Sequence, residues 1–122
     1  MQDPPSPTAI LDLALAQLSE ESQTRGKFEM RMTTAALELV KRALALAPAY
    51  ETAEHARLEA LLNETGDLKQ LNRRLCTLIG DGSLSLSAPG LAAHLRATTM
   101  EKLAIDQPSY AAYRRALENS QG

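Results

Sequence analysis

Residues 27–47, KFEMRMTTAALELVKRALALA, decide the fold of this chain because their apolar positions recur at helical spacing. They form two neighbouring rows: one with Phe28, Met32, Ala35, Leu39, Ala43 and Leu46, and one with Leu37, Val40 and Leu44. A helix that is apolar over so wide an arc is usually central and covered on more than one side. We expect it to end at Ala47, because a proline at position 48 steers the preceding residue away from helical geometry.

The composition of the whole chain favours helices over strands. Leu and Ala supply 41 of the 122 residues, whereas there are three Ile and one Val. Leu and Ala lose little conformational freedom in a helix, and the β-branched residues that strands prefer are scarce. We therefore predict an all-α protein without a sheet. A chain of this length fits one helical domain over residues 1–122, with a Pro-rich leader at 1–6.

Caps and breaks predict the helices on either side of the central one. Ser6 and Pro7 suit the first turn of a helix that extends to about Leu18. A third helix is predicted over about 50–62, and a fourth begins after Asp67, a suitable cap. The apolar face of the fourth helix has regular spacing and consists of Leu68, Leu71, Leu75 and Leu78.

The remaining third of the chain predicts a hook and two further helices. Residues 83–87 alternate Ser and Leu, which indicates an extended segment that places Leu84 and Leu86 in the core. A fifth helix is expected from position 87 or 88 to Asp106, and a sixth opens at Pro108. The predicted fold is a single-domain bundle of five to six helices around the long second helix.

Charge and cysteine content restrict the function. The formal net charge is −2 and the pI is about 5.7, without the basic face of a nucleic-acid binder. A single cysteine, Cys76, cannot form an internal disulfide, which suits a reducing compartment. No apolar run approaches the ~20 residues that cross a bilayer. We expect a cytoplasmic protein that binds neither nucleic acid nor membrane.

One line of polar side chains on the fifth helix is a candidate groove: His94, Thr98, Lys102 and Asp106. Their spacing of four makes them neighbours on one helix face. In a functional interpretation His94 transfers a proton and Lys102 holds an anion. In the structural interpretation, which is favoured, the line is a half-solvated stripe in which Lys102 pairs with Asp106. Asp106 then also caps the sixth helix, where Pro108 fixes the bend.

Metal and cofactor motifs are weak or missing in this sequence. Glu51, His55 and Glu59 repeat every four residues, whereas the Glu-x-x-His pairs of helical di-metal sites have a spacing of three. Solvated charge is the favoured interpretation of these three residues. Phosphate-binding loops and nucleophile motifs are not found either. We therefore predict no metal, no cofactor and no catalytic residue.

The last predicted helix has the composition of a protein interface. Tyr110, Tyr113, Arg114 and Arg115 fall within six residues, and Tyr and Arg are enriched among interface anchors. The alternative is that both tyrosines pack on the core and both arginines are solvated. The two apolar rows of the second helix further suggest a homodimer, the commonest assembly.

The chain resembles a bacterial family of short helical proteins, a domain of unknown function. The resemblance rests on Arg42-Ala-Leu-Ala-Leu-Ala-Pro48, on Asp67-Leu68 and, above all, on Lys102-Leu-Ala-Ile-Asp-Gln-Pro108 followed by Tyr110. The family often has Asn near position 35 and Glu near 43, where this chain has alanines. Any site built on those two polar residues in relatives would be weakened here.

The resemblance also implies a biological context. Members of that family are encoded beside acyl-CoA dehydrogenases and aminoglycoside-phosphotransferase-like kinases, which implies a role in acyl or carboxylic-acid catabolism. Three hypotheses follow: a non-catalytic accessory protein that binds one of these enzymes, a small-molecule or acyl-thioester binder with a pocket near His94 and Lys102, and an undiscovered enzyme. A filled core with an exposed apolar face would favour the first. An apolar cavity with converging polar groups would favour the second.

Overall fold

The computed structural model describes residues 6–19 and 26–121, and its described part is all-α. It contains five helices, and no residue in these two ranges forms a strand. The helices are α1 (Pro7–Ser19), α2 (Lys27–Leu62), α3 (Leu68–Gly80), α4 (Leu91–Asp106) and α5 (Ala111–Gln121). The predicted all-α class, the number of helices and the long second helix are confirmed. Residues 1–5 of the predicted leader lie outside the described residues.

Helix α2 is longer than predicted because it continues through Pro48. The segments predicted as a second and a third helix are therefore one helix of 36 residues. Proline has a helical φ, and its main cost inside a helix is the missing N–H that would bond the carbonyl four residues earlier. That carbonyl belongs to Leu44, and Leu44 and Pro48 are both exposed, so water can satisfy it. The sequence rule that a helix stops before proline was wrong here.

The chain divides into two compact units at the Ala47–Pro48 bond, and the single-domain assignment stays a prediction. In the first unit, α1 begins as predicted: the Ser6 hydroxyl accepts a hydrogen bond from the Ala9 N–H at 3.1 Å. Ile10, Ala14 and Val40 are buried in this unit. The buried Thr33 hydroxyl donates to the side-chain oxygen of Gln17 at 2.7 Å, which satisfies it.

Much of the apolar surface of the first unit is not covered. Phe28 and Leu44 are 71% and 68% exposed, and Met32 and Leu37 are exposed as well. Of the two predicted apolar rows, only Val40 is buried, and Leu39, Ala43 and Leu46 are half-buried. The expectation that neighbours cover both rows is wrong for these residues.

The second unit has the larger apolar core. Leu58 of α2, Leu71 and Leu75 of α3 and Leu91 of α4 are buried together. Partly buried side chains surround them: Leu61, Leu62, Leu68, Leu84 and Ala88. The predicted apolar face of the helix after Asp67 is thus confirmed, and so is its cap. The Asp67 carboxylate accepts from the Gln70 N–H at 2.8 Å, and the Gln70 side chain accepts from the Asp67 N–H at 3.1 Å.

The connection between α3 and α4 is a series of turns and not an extended hook. Leu84 packs against the core as predicted, but Leu86 is 73% exposed. The Ala88 N–H donates to the Ser85 carbonyl, and this turn directs the Leu86 side chain away from the core. The turns continue to Gly90, whose φ of 87° lies in the left-handed region that suits glycine, so α4 starts at Leu91 and not at 87 or 88.

The corner between α4 and α5 also differs from the prediction. Asp106 is the last residue of α4, and α5 begins at Ala111 and not at Pro108. A turn closed by the Tyr110 N–H and the Gln107 carbonyl separates the two helices. A capping side chain must precede its helix directly, so Asp106 cannot cap α5. No described helix is long and apolar enough to cross a membrane.

Candidate functional site

Two helices of the second unit present matching polar faces. Tyr50, Glu54 and Arg57 lie on one side of α2, at spacings of four and three. His94, Thr98 and Glu101 follow the same spacing on α4. Because both sets lie next to buried leucines, their polar groups need partners inside the protein.

Arg57 supplies those partners across the gap between α2 and α4. Its Nε–H donates to His94 Nδ1 at 3.3 Å, and Nη2 donates to the Thr98 hydroxyl at 3.2 Å. The guanidinium also pairs with the Glu101 carboxylate, through Nη2 at 2.5 Å and Nη1 at 3.4 Å. The planar donors of arginine fit such a divided contact. We call Arg57, His94, Thr98 and Glu101 the Arg57 cluster.

The contact with Arg57 determines the protonation of His94. Since a guanidinium can only donate, Nδ1 must accept, and the proton of the neutral ring is on Nε2. Burial, followed by the positive charge of Arg57, lowers the pKa of His94 below its ordinary 6.5, although Glu54 and Glu101 oppose this. His94 is therefore neutral at physiological pH, as its role of acceptor requires.

The polar contacts extend to two more helices. Asn72 of α3 donates to the Glu54 carboxylate at 3.3 Å and to the Leu68 carbonyl at 3.1 Å. Burial, followed by the nearby Tyr113 hydroxyl of α5 and the Glu101 carboxylate, raises the pKa of Tyr50 above 10.0. Tyr50 thus keeps its proton. Hydrogen bonds thus link α3 and α4 to the part of α2 in the second unit, and Tyr113 of α5 acts on Tyr50 electrostatically.

The Arg57 cluster is a polar network whose buried side-chain groups all have hydrogen-bond partners. In the described part of the chain, no buried side-chain nitrogen or oxygen lacks a hydrogen-bond partner. The Arg57 guanidinium is shared among three side chains of α4, and His94 is almost fully buried. Such an arrangement fixes one packing of α2 on α4.

Sequence reasoning identified two of the four residues of the Arg57 cluster. It placed His94 and Thr98 on one line, but the structure continues that line with Glu101 of α4 and adds Arg57 of α2. The signal was an arginine directly before Leu58, the most buried residue of the core. Lys102 and Asp106 are half-buried on α4, and their role in a groove stays a prediction.

Of the three predicted residues Glu51, His55 and Glu59 on α2, two form a local contact. His55 Nε2 donates to the Gly66 carbonyl at 2.7 Å, and Nδ1 lies 3.3 Å from the Glu59 carboxylate. Glu51 is exposed on the preceding turn. Among the residues that the structure describes, no three His, Cys, Asp or Glu side chains come together as a metal site. An open hollow nearby contains no member of the Arg57 cluster; it is lined by Glu59, Ala60, Asn63, Glu64 and Thr65.

The predicted interface residues divide between surface and interior. Tyr110, Arg114 and Arg115 are exposed. Tyr113 is half-buried and lies near Tyr50. The structure therefore leaves three of these four side chains exposed, and Tyr113 is half-buried.

Comparison with known proteins gives the family of the chain. The chain belongs to the family described as Domain of unknown function (DUF6285), which matches residues 20–110. The matched range covers most of the chain, including the Arg57 cluster and the Lys102–Tyr110 segment. No curated protein and no solved structure matches the chain.

Proposed function

We propose that this protein is a non-catalytic accessory protein that acts by binding another protein. The observation that carries the proposal is the contrast between a satisfied polar network in the second unit and an uncovered apolar surface in the first. Eight large apolar side chains between residues 6 and 47 are exposed: Leu11, Leu13, Leu15, Phe28, Met30, Met32, Leu37 and Leu44. Large exposed apolar areas are typical of interaction sites.

The partner we propose is a phosphotransferase-like kinase or an acyl-CoA dehydrogenase of acyl or carboxylic-acid catabolism. The support for this partner is the resemblance to a bacterial family encoded beside such enzymes, and on the same ground we propose a location in the bacterial cytoplasm. The exposed side chains of Tyr110, Arg114 and Arg115 on and before α5 support a docking surface for the enzyme. The apolar rows of α1 and α2 support self-association as a homodimer.

A catalytic role has less support from the site. A general base must reach a substrate proton, but His94 is almost fully buried and its Nδ1 accepts from Arg57. One observation favours the alternative of an acyl-thioester binder: Arg57 keeps a partly exposed guanidinium that a ligand carboxylate could share with Glu101. We rank this second, because Arg57 already has three partners.

Co-expression with each enzyme tests the accessory function. We expect the tagged protein to co-elute with one of the two enzymes and to change its turnover. Replacing both Tyr110 and Arg114 with Ala should abolish co-elution, whereas Arg73→Ala, an exposed arginine on α3, serves as the matched control and should not. Absence of co-elution with either enzyme, together with unchanged turnover, would end the proposal. A rise in melting temperature with an acyl-CoA would then support the binder.

A further inference from the structure

The contact between Arg57 and His94 can form in only one protonation state of the histidine. His94 is 3% exposed, and its Nδ1 accepts a hydrogen bond from the Arg57 Nε–H at 3.3 Å. An imidazolium has a proton on each ring nitrogen and a guanidinium has no acceptor, so a protonated His94 cannot make this bond. Protonation also places two positive charges side by side away from water, where like charges repel more strongly.

Charged groups from two helices act on His94. They are Arg57 and Glu54 of α2 and Glu101 of α4. The α3 side chain of this network, Asn72, is uncharged, and the α5 side chain, Tyr113, acts on Tyr50. Burial, followed by the charge of Arg57, outweighs the two carboxylates and lowers the pKa of His94 below its ordinary 6.5. Proton uptake therefore favours a conformation in which His94 has left this position.

Helix α4 depends on the His94 contact more than α3 does. The buried side chains of α4 are Leu91 and His94, whereas both buried side chains of α3 are leucines. Arg57 also donates to Thr98 and Glu101 of α4, so a displaced guanidinium disturbs the whole contact between α2 and α4. Segments with few buried apolar side chains open at a lower free energy than the rest of a domain. Loss of the His94 contact should therefore loosen α4 first.

We propose that the contact between Arg57 and His94 is a pH switch that releases α4 from α2 in mildly acidic solution. Uptake of one proton by His94 breaks its bond with Arg57, and α4 separates locally from the part of α2 in the second unit. The separation uncovers Leu58 and Leu91, which are buried in one cluster when the switch is closed. The switch lies within the second unit and needs no partner, so its failure and the failure of the accessory function are separate results.

Hydrogen exchange of the full chain at about pH 7 and about pH 5.5, on either side of the ordinary pKa of histidine, tests the switch. The measured quantity is the protection factor of each backbone amide, corrected for the pH dependence of intrinsic exchange. Amides of α4 should be less protected than those of α3, because a local opening needs less free energy than unfolding of the whole unit. Protection of α4 should fall by about 2- to 8-fold at the lower pH, because the open state takes up a proton at His94 over this range.

Two results of this experiment would overturn the proposal. Equal protection of α4 at the two pH values would show that His94 does not respond to protons in this range. Equal protection of α3 and α4 would show that α4 opens only when the whole unit unfolds.

The two histidines of the chain provide a variant and its matched control. Gln keeps an acceptor oxygen for the Arg57 Nε–H but takes up no proton, so His94→Gln should remove the pH dependence of α4 protection. His55 contacts Gly66 and Glu59 and no member of the Arg57 cluster, so His55→Gln should leave that dependence intact. The opposite result for either variant would overturn the proposal.

Nuclear magnetic resonance of the His94 ring tests the switch in the natural chain, whether or not the variants fold. At about pH 7 the ring nitrogen shifts should show a proton on Nε2 and none on Nδ1. The titration midpoint of His94 should lie below its ordinary 6.5, and Arg57→Met should raise it, because this change removes the neighbouring positive charge. A midpoint at or above 6.5 in the natural chain, or a proton on Nδ1, would overturn the proposal.

Discussion

Replacing Arg57 with Met and Glu101 with Gln, singly and together, measures how strongly the Arg57 cluster couples α2 to α4. Met keeps the apolar stem of the arginine, and Gln keeps the size of the glutamate, so both changes remove mainly charge. The same cycle on Arg74 and Glu64, an ion pair from α3 to the loop before it, provides a control within one chain. Comparing the two cycles separates a half-buried pair from an exposed one.

The expected magnitudes follow from exposure and geometry. The side chains of Arg57 and Glu101 are 27% and 17% exposed, against 49% and 41% for Arg74 and Glu64. The first pair also has contacts through two guanidinium nitrogens, whereas the second has one at 3.1 Å. Hydrogen bonds to charged groups contribute about 1.5–3 kcal/mol when shielded, so we expect a coupling energy of about 1–3 kcal/mol for Arg57 and Glu101. For the exposed pair we expect about 0.2–1 kcal/mol.

Urea unfolding followed by circular dichroism at 222 nm gives the free energy for each variant. The slope of the transition must stay constant across each cycle, since a changed slope indicates a different unfolded or native state. Raising the salt concentration should lower the coupling of Arg74 and Glu64 more than that of Arg57 and Glu101. A coupling of Arg57 to Glu101 below about 0.5 kcal/mol, or no larger than that of the exposed pair, would refute the reasoning.

Three further substitutions test the fold. Burial, and then Arg57, lower the pKa of His94, so the unfolded chain binds a proton more readily; stability should therefore fall as the pH drops below about 6.5, and His94→Gln should flatten this decline in urea midpoints between about pH 7 and pH 5.5. Pro48→Ala should raise the free energy of unfolding by about 1–3 kcal/mol, because it restores a helical hydrogen bond; a loss of stability in the same assay would contradict this. Leu58→Ala should lower the free energy of unfolding in urea by ~2–5 kcal/mol, because Leu58 is buried in the core. Leu86→Ala, the exposed control, should lower it by less than about 0.5 kcal/mol. Equal losses for the two variants would show that the core does not lie around Leu58.

The elements that sequence reasoning predicted well depend on local chemistry. Ser6 and Asp67 cap helices as expected, because a cap needs only the backbone of the next few residues. The apolar face that includes Leu71 and Leu75 was clear because its spacing is regular and its other faces are polar. Such signals are contained within one turn or one helix, and the rest of the fold hardly changes them.

The elements that sequence reasoning missed depend on their surroundings in the fold. Pro48 ends a helix in isolation, but it is accepted where the freed Leu44 carbonyl faces water. The apolar pattern of Leu86 predicts a buried side chain, yet a turn at Ser85 directs it outward. In both cases the local preference was read correctly, and a neighbouring hydrogen bond or solvent contact decided the outcome.

Arg57 shows why half of the polar network was not predictable. On α2 alone it is one charge next to apolar neighbours, and nothing in its spacing indicates a partner. Its partners lie 37 to 44 residues later on α4 and are brought to it only by the packing of Leu58 against Leu91. Sequence could identify the stripe that contains His94 and Thr98, but the second helix of the contact comes from the tertiary fold.

The two units use their side chains in opposite ways, and this bears on where the proposed partner would bind. In the second unit the buried polar side chains lie next to the core and have hydrogen-bond partners, so its packing is specific. In the first unit the large apolar side chains outnumber the buried positions that two helices provide. Exposing Phe28 or Leu44 to water costs free energy that a partner surface would recover, about 1.5–3 kcal/mol for each side chain fully buried. The exposed apolar side chains that would gain most from a partner therefore lie on α1 and the first half of α2.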